Sequence, residues 1–394
     1  AASDVYKRQI LRRNFVMERL KRTEKNTLTE RVLQFGEGNF LRGFVDWMID
    51  KLNKENGGDY GVTIVQPLAG GLVDKLNAQD GRYSLYLRGL LKGEKVEETR
   101  IVDCVTRGIN PYTNTDEFFD CAKNPDLRFI VSNTTEAGIE YKPNQNPDDF
   151  NGLTFPGRLT LFMKKRFDEG LKGFILLPCE LIDKNGDNLK ECILKYSEDW
   201  GYGDEFEKWI ETENHFTNTL VDRIVTGYPR DNAKEMEQSY GYLDDMIDTA
   251  EIFHLWVIEG DKKLAEEIPF HKIGLNVLWT DDVTPYKKRK VRILNGAHTM
   301  TVLAAHLAGL ETVKDAMDDE LVFSFMKQGI FEEIIPTLDL PKNELEQFAN
   351  DVIERFKNPF IKHYLLSIAL NSVSKYKVRV LPSVIEYILS LIHI

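Results

Sequence analysis

The amino-acid sequence predicts an α/β protein in which a doubly wound parallel sheet is followed by a mostly α-helical second domain. Two observations carry this prediction. In the first part of the chain, short apolar runs alternate with segments of helical spacing, as in parallel strands joined by crossover helices. After about residue 235, segments of helical periodicity dominate.

Four apolar runs are the predicted strands of the first domain, and each ends where polar residues begin. They are RVLQF at 31–35, GVTIV at 61–65, RFIV at 128–131 and GFILL at 173–177. Apolar residues at helical spacing predict a helix over 39–53. Ligands bind at the carboxyl ends of the strands in such sheets, so a site is expected in the polar segments that follow these runs.

The second part of the chain is predicted to be helical. Its predicted helices are 248–259, 290–308, 311–334, 342–357 and 359–374, with one strand-like run at 274–279. We therefore divide the chain into a foreign or disordered leader at 1–26, a sheet domain at 27–280 and a helical domain at 281–394.

Composition argues against several classes of function. The 394 residues include 51 Lys and Arg against 63 Asp and Glu, a net charge of −12. Nucleic acid is therefore not the expected partner, because phosphate binding needs a cationic surface. No apolar run is long enough to span a membrane. The four cysteines form no C-x-x-C pair, so we expect buried, reduced thiols in a cytoplasmic protein without a metal site.

Gly36-Glu37-Gly38 follows the first predicted strand and opens a helix. Glycines at this point let the backbone approach a pyrophosphate on the free amides of the helix N-terminus. The alternative is an ordinary tight turn, because Leu41 occupies the usual third glycine position. The second strand ends at Gln66, which can hydrogen-bond a ribose hydroxyl. No acid stands there, so the choice between NAD and NADP stays open.

Lys290, Asn295 and His298 share a broad face of one predicted helix. A lysine can transfer a proton in carbonyl chemistry when a neighbouring cation disfavours its charged form, and Lys287 lies one turn back. An asparagine can donate to a developing oxyanion. The alternative is a solvated basic run followed by a helix with a satisfied polar pair.

Other polar clusters have structural explanations when taken singly. Asn133 and Thr134 can line a nicotinamide ribose site or cap the next helix. Asn185 belongs to an Asn-Gly turn signal. Asp222 is most simply half of a buried ion pair, and His363 follows a helix start.

Taken together, these residues resemble the mannitol dehydrogenase family of polyol-specific long-chain dehydrogenases and reductases. Six blocks carry the resemblance: QFGEGNFLRGF (34–44), SNTTEAG (132–138), CELIDKNG (179–186), TLVDRIVTGYP (219–229), DDVTPYKKRKVRILNGAH (281–298) and RFKNPFIKH (355–363). The resemblance extends from about residue 31 to about residue 382.

The resemblance implies a Rossmann-like dinucleotide-binding domain at 27–280 and a helical substrate and catalytic domain at 281–394. It also implies metal-independent hydride transfer between NAD and a secondary alcohol. Carried over by position, Lys290 is the general acid/base, and Asn295 and Asn185 polarise the carbonyl oxygen. The implied substrate contacts are Asp222, His298, His363 and Lys375. The implied cofactor contacts are Gly36, Gly38, Asn39, Phe40, Arg42, Gln66, Asn133 and Thr134.

Three positions depart from the polyol-oxidising members. Leu181 stands where they commonly have Asn, Ser367 where they have Arg, and Lys287 where they often have Glu. Added positive charge near Lys290 suits an anionic sugar acid. Within the family, the resemblance implies a member that reduces the keto sugar acid tagaturonate to altronate in hexuronate catabolism, and this is the expected activity. Fructuronate and mannitol-like polyols are alternative substrates, and a non-catalytic nucleotide-binding fragment is the alternative of another class.

Members of the family continue through several more helices after the region of residue 382. We therefore expect the helical domain of this chain to be incomplete at its C-terminus. The expected partner is a small sugar acid, and the expected assembly is a monomer or a small homo-oligomer.

Overall fold

A computed structural model describes residues 17–392 of the chain. Residues 1–16 of the predicted leader lie outside these described residues. The part of the leader that is described packs on the sheet domain: Leu20 is buried, and its backbone N–H donates to the Leu243 carbonyl at 2.8 Å. The Arg22 guanidinium donates to the Val105 carbonyl at 2.9 Å. The expectation of disorder is therefore wrong for this part of the leader.

Residues 17–392 form twelve strands. They are β1 (Glu30–Phe35), β2 (Gly61–Val65), β3 (Tyr83–Leu91), β4 (Glu94–Val102), β5 (Val105–Ile109), β6 (Phe129–Ser132), β7 (Ile175–Pro178), β8 (His215–Phe216), β9 (Asn218–Asp222), β10 (Asp248–Ala250), β11 (Leu255–Glu259) and β12 (Val277–Thr280). The main sheet is parallel and has the order β5-β2-β1-β6-β7-β8. The order reverses between β1 and β6, so the sheet is doubly wound, and the predicted fold class is confirmed.

The helices of the described chain surround this sheet and then build the second domain. They are α1 (39–56), α2 (Val73–Ala78), α3 (Thr115–Cys121), α4 (Phe155–Asp168), α5 (Asn185–Asp199), α6 (Asp204–Glu213), α7 (Ala233–Tyr240), α8 (284–307), α9 (Val313–Asp318), α10 (320–334), α11 (Lys342–Phe356), α12 (Leu365–Ala369), α13 (Ser372–Arg379) and α14 (Leu381–Ile392). Short 3-10 turns lie at Phe150–Gly152, Lys262–Glu266, Phe270–Ile273 and Ile335–Thr337. No helix within residues 17–392 is long and apolar enough to cross a bilayer.

The predicted helix at 248–259 is wrong, because this segment forms β10 and β11. Strand β11 pairs with β9 on one side and β12 on the other. Its side chains alternate between two cores: Trp256 and Ile258 pack into the sheet domain, whereas Leu255 and Val257 pack against the helical domain. Burial on both faces produces a continuous apolar run, which periodicity cannot distinguish from a buried helix.

Two other predicted helices are interrupted. The segment 311–334 breaks at Asp319, whose side chain accepts a hydrogen bond from the Val322 N–H and caps α10. The segment 359–374 is not helical before Leu365, because the Asn358 side chain accepts from the Phe360 N–H and closes a turn. Helices 290–308 and 342–357 are confirmed as parts of α8 and α11.

A fully buried carboxyl, Asp46, lies on α1 below the glycine turn. Its Oδ2 is 3.2 Å from the Tyr83 hydroxyl, which also lies 2.9 Å from the Arg42 carbonyl. The single hydroxyl proton is thus shared between this carbonyl and Asp46 Oδ2, so the carboxylate accepts only a weak hydrogen bond from Tyr83. Burial raises the pKa of Asp46 to about 7, against hydrogen bonds from Gln34 and Tyr83.

Asp46→Asn should therefore stabilise the protein at high pH. The folded pKa of Asp46 exceeds that of an unfolded aspartate, so the folded state holds an extra proton from about pH 4 to 7 and loses stability as the pH rises through this window. We expect the free energy of unfolding, from urea titrations, to rise by about 1 to 4 kcal/mol at pH 8 and to change little at pH 4. Parallel pH curves for the two proteins would contradict a neutral Asp46.

Candidate active site

A groove of about 400 Å³ lies at the carboxyl ends of β1, β2 and β6, where the strand order reverses. It is lined by Gly36, Glu37, Gly38, Pro67, Leu68, Asn133, Thr134, Thr135, Ala137, Gly138, Glu140, Lys142, Thr154, Phe155 and Arg158. Of the eight predicted cofactor contacts, Gly36, Gly38, Asn133 and Thr134 line this groove. The carboxyl ends of strands at a reversal point are where open α/β sheets bind ligands.

The glycine turn is shaped for close approach of a ligand. Gly36 has φ +127°, and a Cβ there would lie 3.2 Å from the Asn133 carbonyl oxygen. Gly38 is the N-cap of α1, and a Cβ there would meet nothing within 4 Å. The first amides of α1 therefore lack a side-chain cap and face open space. Such an end binds a pyrophosphate, so these residues fit a dinucleotide.

Arg42 and Gln66 do not reach the groove. The Arg42 guanidinium is buried and donates to the Glu37 and Met246 carbonyls and to the Asn39 side chain. The Gln66 amide donates to the carbonyls of its own loop, and its oxygen accepts from a backbone N–H. Both predictions of cofactor contact are therefore corrected: the two side chains stabilise the glycine turn and the loop after β2 through these hydrogen bonds.

Phe40 and Asn39 are also not placed on the groove wall. Phe40 stacks on Phe44 with ring centroids 5.0 Å apart, and Asn39 is exposed beside Arg42. The groove gains instead a residue that the sequence analysis missed. Glu37 extends to the loop after β2, where its Oε1 accepts from the Leu72 N–H at 3.3 Å. Glu37 thus supplies an acid near the end of β2, the place at which NAD-binding folds hold a ribose.

The loop that carries Asn133 and Thr134 is fixed by Glu180, which follows β7. Its carboxylate accepts from the backbone N–H and hydroxyl of Thr134 and from the Ser132 hydroxyl, at 2.9 to 3.0 Å. Burial raises the pKa of Glu180, against these hydrogen bonds. Thr135 adopts φ +73° beside them. A strained loop held by a buried acid is typical of a preorganised binding site.

Gly38→Ala should weaken binding of NADH without destabilising the fold. The added methyl group occupies the open space in front of the helix amides, and Gly38 has an ordinary φ of −67°. We expect the dissociation constant for NADH, from fluorescence titration, to rise by about tenfold or more while Tm stays the same. Gly36→Ala is the matched variant that must also lose stability, about 1 to 3 kcal/mol, because its φ is positive. An unchanged affinity for NADH in Gly38→Ala would contradict binding of the cofactor at this turn.

A second cavity of about 400 Å³ lies where β9 meets the helical domain. Its polar lining residues are Asp222, Lys290, Asn295, His298, Arg355, Asn358, His363, Ser367, Lys375 and Arg379. Six of the seven residues predicted for catalysis and substrate binding are among them. The structure therefore brings together groups that are up to 153 positions apart in the sequence, from Asp222 to Lys375.

Asn185 is the exception. It is 1% exposed, and its amide nitrogen donates to the Pro178, Glu180 and Thr219 carbonyls. Its oxygen accepts from the Thr219 N–H at 2.8 Å. Every polar atom of the side chain is used to join β7 to β9, so the predicted role in polarising a carbonyl is corrected to a structural one.

Lys290 begins a π-helical turn, Lys290–Asn295, inside α8. Its Nζ donates to the Val221 carbonyl at 2.8 Å and lies 3.5 Å from Asp222 Oδ1. The side chain is 17% exposed and lines the cavity. π-Turns inside α-helices are frequent at functional sites, and this one sets Lys290 and Asn295 on the same wall.

Asp222 is held by two cations. Arg355 of α11 donates to both of its carboxylate oxygens, at 3.0 and 3.1 Å, and to Glu251 at 2.8 and 3.0 Å. Burial would raise the pKa of Asp222, but Arg355 and then Lys290 outweigh it and hold the pKa below its ordinary value. Asp222 is therefore ionised, and its partner is Arg355 instead of the adjacent Arg223.

The two histidines of the cavity are neutral groups. His298 stacks on Phe356 at 4.1 Å and meets His363 edge-on at 5.2 Å. Burial, then the neighbouring His363 and Arg355, hold the pKa of His298 well below its ordinary value. Burial also lowers the pKa of His363. Neutral imidazoles both donate and accept, which suits the hydroxyl groups of a sugar.

Lys287 does not contribute a free charge to this cavity. Its ammonium pairs with Asp183, in the loop after β7, and it is not among the residues of 17–392 that line the cavity. The inference of an anionic substrate therefore cannot rest on Lys287. Residues 17–392 contain no group of three or more His, Cys, Asp or Glu side chains arranged to bind a metal ion.

Two sequence profiles decide the family. The mannitol dehydrogenase Rossmann domain matches residues 30–272, and the mannitol dehydrogenase C-terminal domain matches residues 282–390. The chain belongs to the mannitol dehydrogenase family. This member of the mannitol dehydrogenase family is accordingly an NAD-dependent oxidoreductase that acts on CH–OH groups.

Curated relatives are similar to most of the chain. Altronate oxidoreductases of Cronobacter sakazakii and Shigella flexneri are each 50% identical to this mannitol dehydrogenase family member over 361 residues, which is 90% of this chain and 75% of theirs. Among solved structures, a D-sorbitol dehydrogenase is 26% identical with a TM-score of 0.79, covering 91% of this chain and 76% of that one. A Pseudomonas fluorescens mannitol 2-dehydrogenase, solved with NAD and D-mannitol, shares the fold at 22% identity, with a TM-score of 0.71 over 91% of this chain and 74% of that one.

Sequence reasoning missed three cavity residues of this family member: Arg355, Asn358 and Arg379. A signal for the first two was present, because both lie in the block RFKNPFIKH that supported the resemblance. Glu251, the second partner of Arg355, lies in the segment that was taken for a helix. No local pattern marks Arg379, which only the packing of α13 brings to the cavity.

Proposed function

We propose that the protein reduces tagaturonate to altronate with NADH, as a step of hexuronate catabolism, and catalyses the reverse oxidation with NAD. One observation carries this proposal: Lys290, ion-paired and hydrogen-bonded, lines the same cavity as Asn295 and two neutral histidines. The choice of substrate is supported by the altronate oxidoreductases that are 50% identical to the chain.

Lys290 is proposed as the proton donor in the reducing direction. Of its three N–H groups, one is held by the Val221 carbonyl and one is directed to Asp222, which leaves one for the substrate oxygen. Asp222 Oδ1 lies 3.5 Å from the same ammonium and, with the Val221 carbonyl, fixes its position at the cavity wall. When bound, NADH supplies the hydride. In the oxidising direction, the neutral lysine takes the proton of the alcohol.

Asn295 is proposed to hold the substrate oxygen as its negative charge develops. It lies five residues after Lys290 across the π-turn and lines the same cavity. Its amide N–H groups are uncharged donors, so they stabilise an oxyanion without competing for the proton. With Asn185 committed to the fold, the ammonium of Lys290 and the amide of Asn295 together take that task.

The remaining predicted contacts are proposed to orient the sugar. His298 and His363 exchange hydrogen bonds with hydroxyl groups, and Lys375 contacts a hydroxyl or the carboxylate. Asp222 acts through Lys290, because its oxygens are taken by Arg355 and Lys290. Glu37 and the glycine turn are proposed to hold NAD at the ribose and the pyrophosphate.

The proposal is tested by measuring the oxidation of NADH and of NADPH at 340 nm, on the order of minutes. The substrates are tagaturonate, fructuronate and fructose. We expect turnover with tagaturonate and NADH to exceed that with the other combinations. Turnover confined to fructose would make the protein a polyol dehydrogenase. NADH binding without turnover of any of the three substrates would favour a non-catalytic nucleotide-binding protein.

A further inference from the structure

Two cations of the second cavity lack a carboxylate partner among the described residues. Lys290 and Arg355 share Asp222, and Arg355 also pairs with Glu251. Within residues 17–392, by contrast, no carboxylate oxygen lies within 4.0 Å of Lys375 or Arg379. The positive charge of Lys290 and Arg355 is therefore balanced by carboxylates of the described residues, whereas that of the two cations on α13 is not.

Of these two cations, Arg379 is the less engaged. The Lys375 ammonium donates to the Ile368 carbonyl at 2.8 Å, which occupies part of its capacity. In the described structure, the hydrogen bond of the Arg379 side chain is a long contact of 3.5 Å to the Thr299 hydroxyl. A guanidinium has five N–H donors, so most of those of Arg379 remain available to a ligand in the cavity.

The backbone of Arg379 is fixed by close packing. A Cβ on Gly296 would lie 3.3 Å from the Arg379 carbonyl oxygen, so the absence of a side chain at Gly296 lets α13 approach α8. The Arg379 side chain is half-buried, and burial lowers its pKa. The guanidinium has thus lost part of its hydration without gaining an opposite charge. An anion in the cavity would compensate for this loss by forming an ion pair with it.

Arg379 and the proposed proton donor Lys290 line the same cavity from two different helices. Thr299, which Arg379 contacts, follows Lys290 by nine residues, at most about 13 Å along a helix axis, so the two cations reach the cavity from separate positions. Tagaturonate has a matching layout, because its ketone and its carboxylate are separated along a six-carbon chain. A ketone at Lys290 therefore directs the carboxylate towards α13.

We propose that Arg379 binds the carboxylate of the sugar-acid substrate and thereby determines the preference for an anionic over a neutral substrate. This inference rests on the proposed function. A planar guanidinium forms two parallel hydrogen bonds with a carboxylate, a geometry that the ammonium of Lys375 cannot reproduce. Lys375, on the same helix, adds positive charge to the cavity.

Arg379→Gln tests the assignment when its activity with tagaturonate is compared with its activity with tagatose, which has CH₂OH in place of the carboxylate. We expect the ratio of kcat/KM for the two substrates to fall by about 10- to 100-fold, because hydrogen bonds between charged groups are lost. Arg379→Lys should keep part of the preference. Lys377→Gln removes an equal charge from an exposed position of α13 and should change the ratio by no more than about twofold.

A readout without turnover makes the comparison complete. Calorimetric dissociation constants of altronate and of its neutral alditol, measured on the NADH-bound protein, should show the same selective loss for altronate in Arg379→Gln. Equal losses for both ligands, or no loss for altronate, would overturn the role of Arg379. A wild-type protein that reduces no keto acid would instead defeat the proposed function, so the two failures are distinguishable.

Discussion

Lys290→Ala should lower kcat for tagaturonate reduction by about 10²- to 10⁴-fold, the usual contribution of a positioned general acid. The Lys290 ammonium is held by the Val221 carbonyl and Asp222 at the wall of the cavity, and alanine leaves no proton donor in its place. The glycine turn and the Glu180-anchored loop are on other elements, so the affinity for NADH should stay within about threefold of wild type. Steady-state kinetics and NADH fluorescence titration measure the two quantities.

Chemical rescue separates a proton-transfer role from a structural one. Small primary amines fit the space left by the lysine side chain and should restore part of the turnover of Lys290→Ala in proportion to their concentration. Lys288→Ala is the matched control, since Lys288 pairs with Asp339 and Glu386 instead of lining the cavity. Full activity in Lys290→Ala, or a loss in Lys288→Ala of the same size, would refute the assignment.

The sequence predicted best where local pattern and tertiary position coincide. The runs at 31–35, 61–65, 128–131 and 173–177 all form parallel strands, because buried parallel strands are continuous apolar runs. Asn133 and Thr134, which follow the third run, line the groove. Lys290, Asn295 and His298 were predicted from the spacing of one helix, and the π-turn keeps them on one wall of the cavity.

The predictions failed for residues whose side chain can turn either towards the binding site or into the protein interior from the same backbone position. Asn185 and Arg42 both follow strand ends near a binding site, but each is buried and satisfied by backbone carbonyls. Sequence position limits where a Cα lies and does not determine which way the side chain turns. The segment 248–259 failed for a related reason, because each face of β11 meets a different core.

The charge argument illustrates the same limit. Lys287 was singled out because it departs from the residue of polyol-oxidising members, yet Asp183 neutralises it. The unbalanced charge of the cavity comes from α13, which is 85 residues or more away from Lys287 in the sequence. Local substitution patterns cannot reveal charges that long-range packing brings together.

Arg355→Met should destabilise the protein by about 3 to 5 kcal/mol at pH 7.5, because it leaves buried Glu251 without a cation and buried Asp222 with Lys290 alone. Asp222 and Glu251 are 6% and 2% exposed, and Arg355 donates to both. Methionine keeps much of the volume of the side chain, so the loss reports charge more than packing. Urea unfolding followed by circular dichroism measures the change, with Arg31→Met, which removes an exposed partner of Asp59, expected to lose no more than about 1 kcal/mol.

The pH dependence of this deficit tests its cause. Burial already raises the pKa of Glu251 against Arg355, so loss of Arg355 should raise its folded pKa further above the unfolded value. The pKa of Asp222 should rise from its lowered position as well, because Arg355 is the larger of the two cationic influences on it. Groups with a raised folded pKa stabilise the protein at low pH and lose that contribution as the pH rises, so the deficit of Arg355→Met should be smaller at pH 5 than at pH 8. Adding Glu251→Gln should recover part of the loss at pH 8. The Arg355 guanidinium also lies over the Phe253 ring, 4.2 Å from its centroid. A deficit that does not change with pH and is not relieved by Glu251→Gln would show that Arg355 stabilises the fold by this packing and not by its charge.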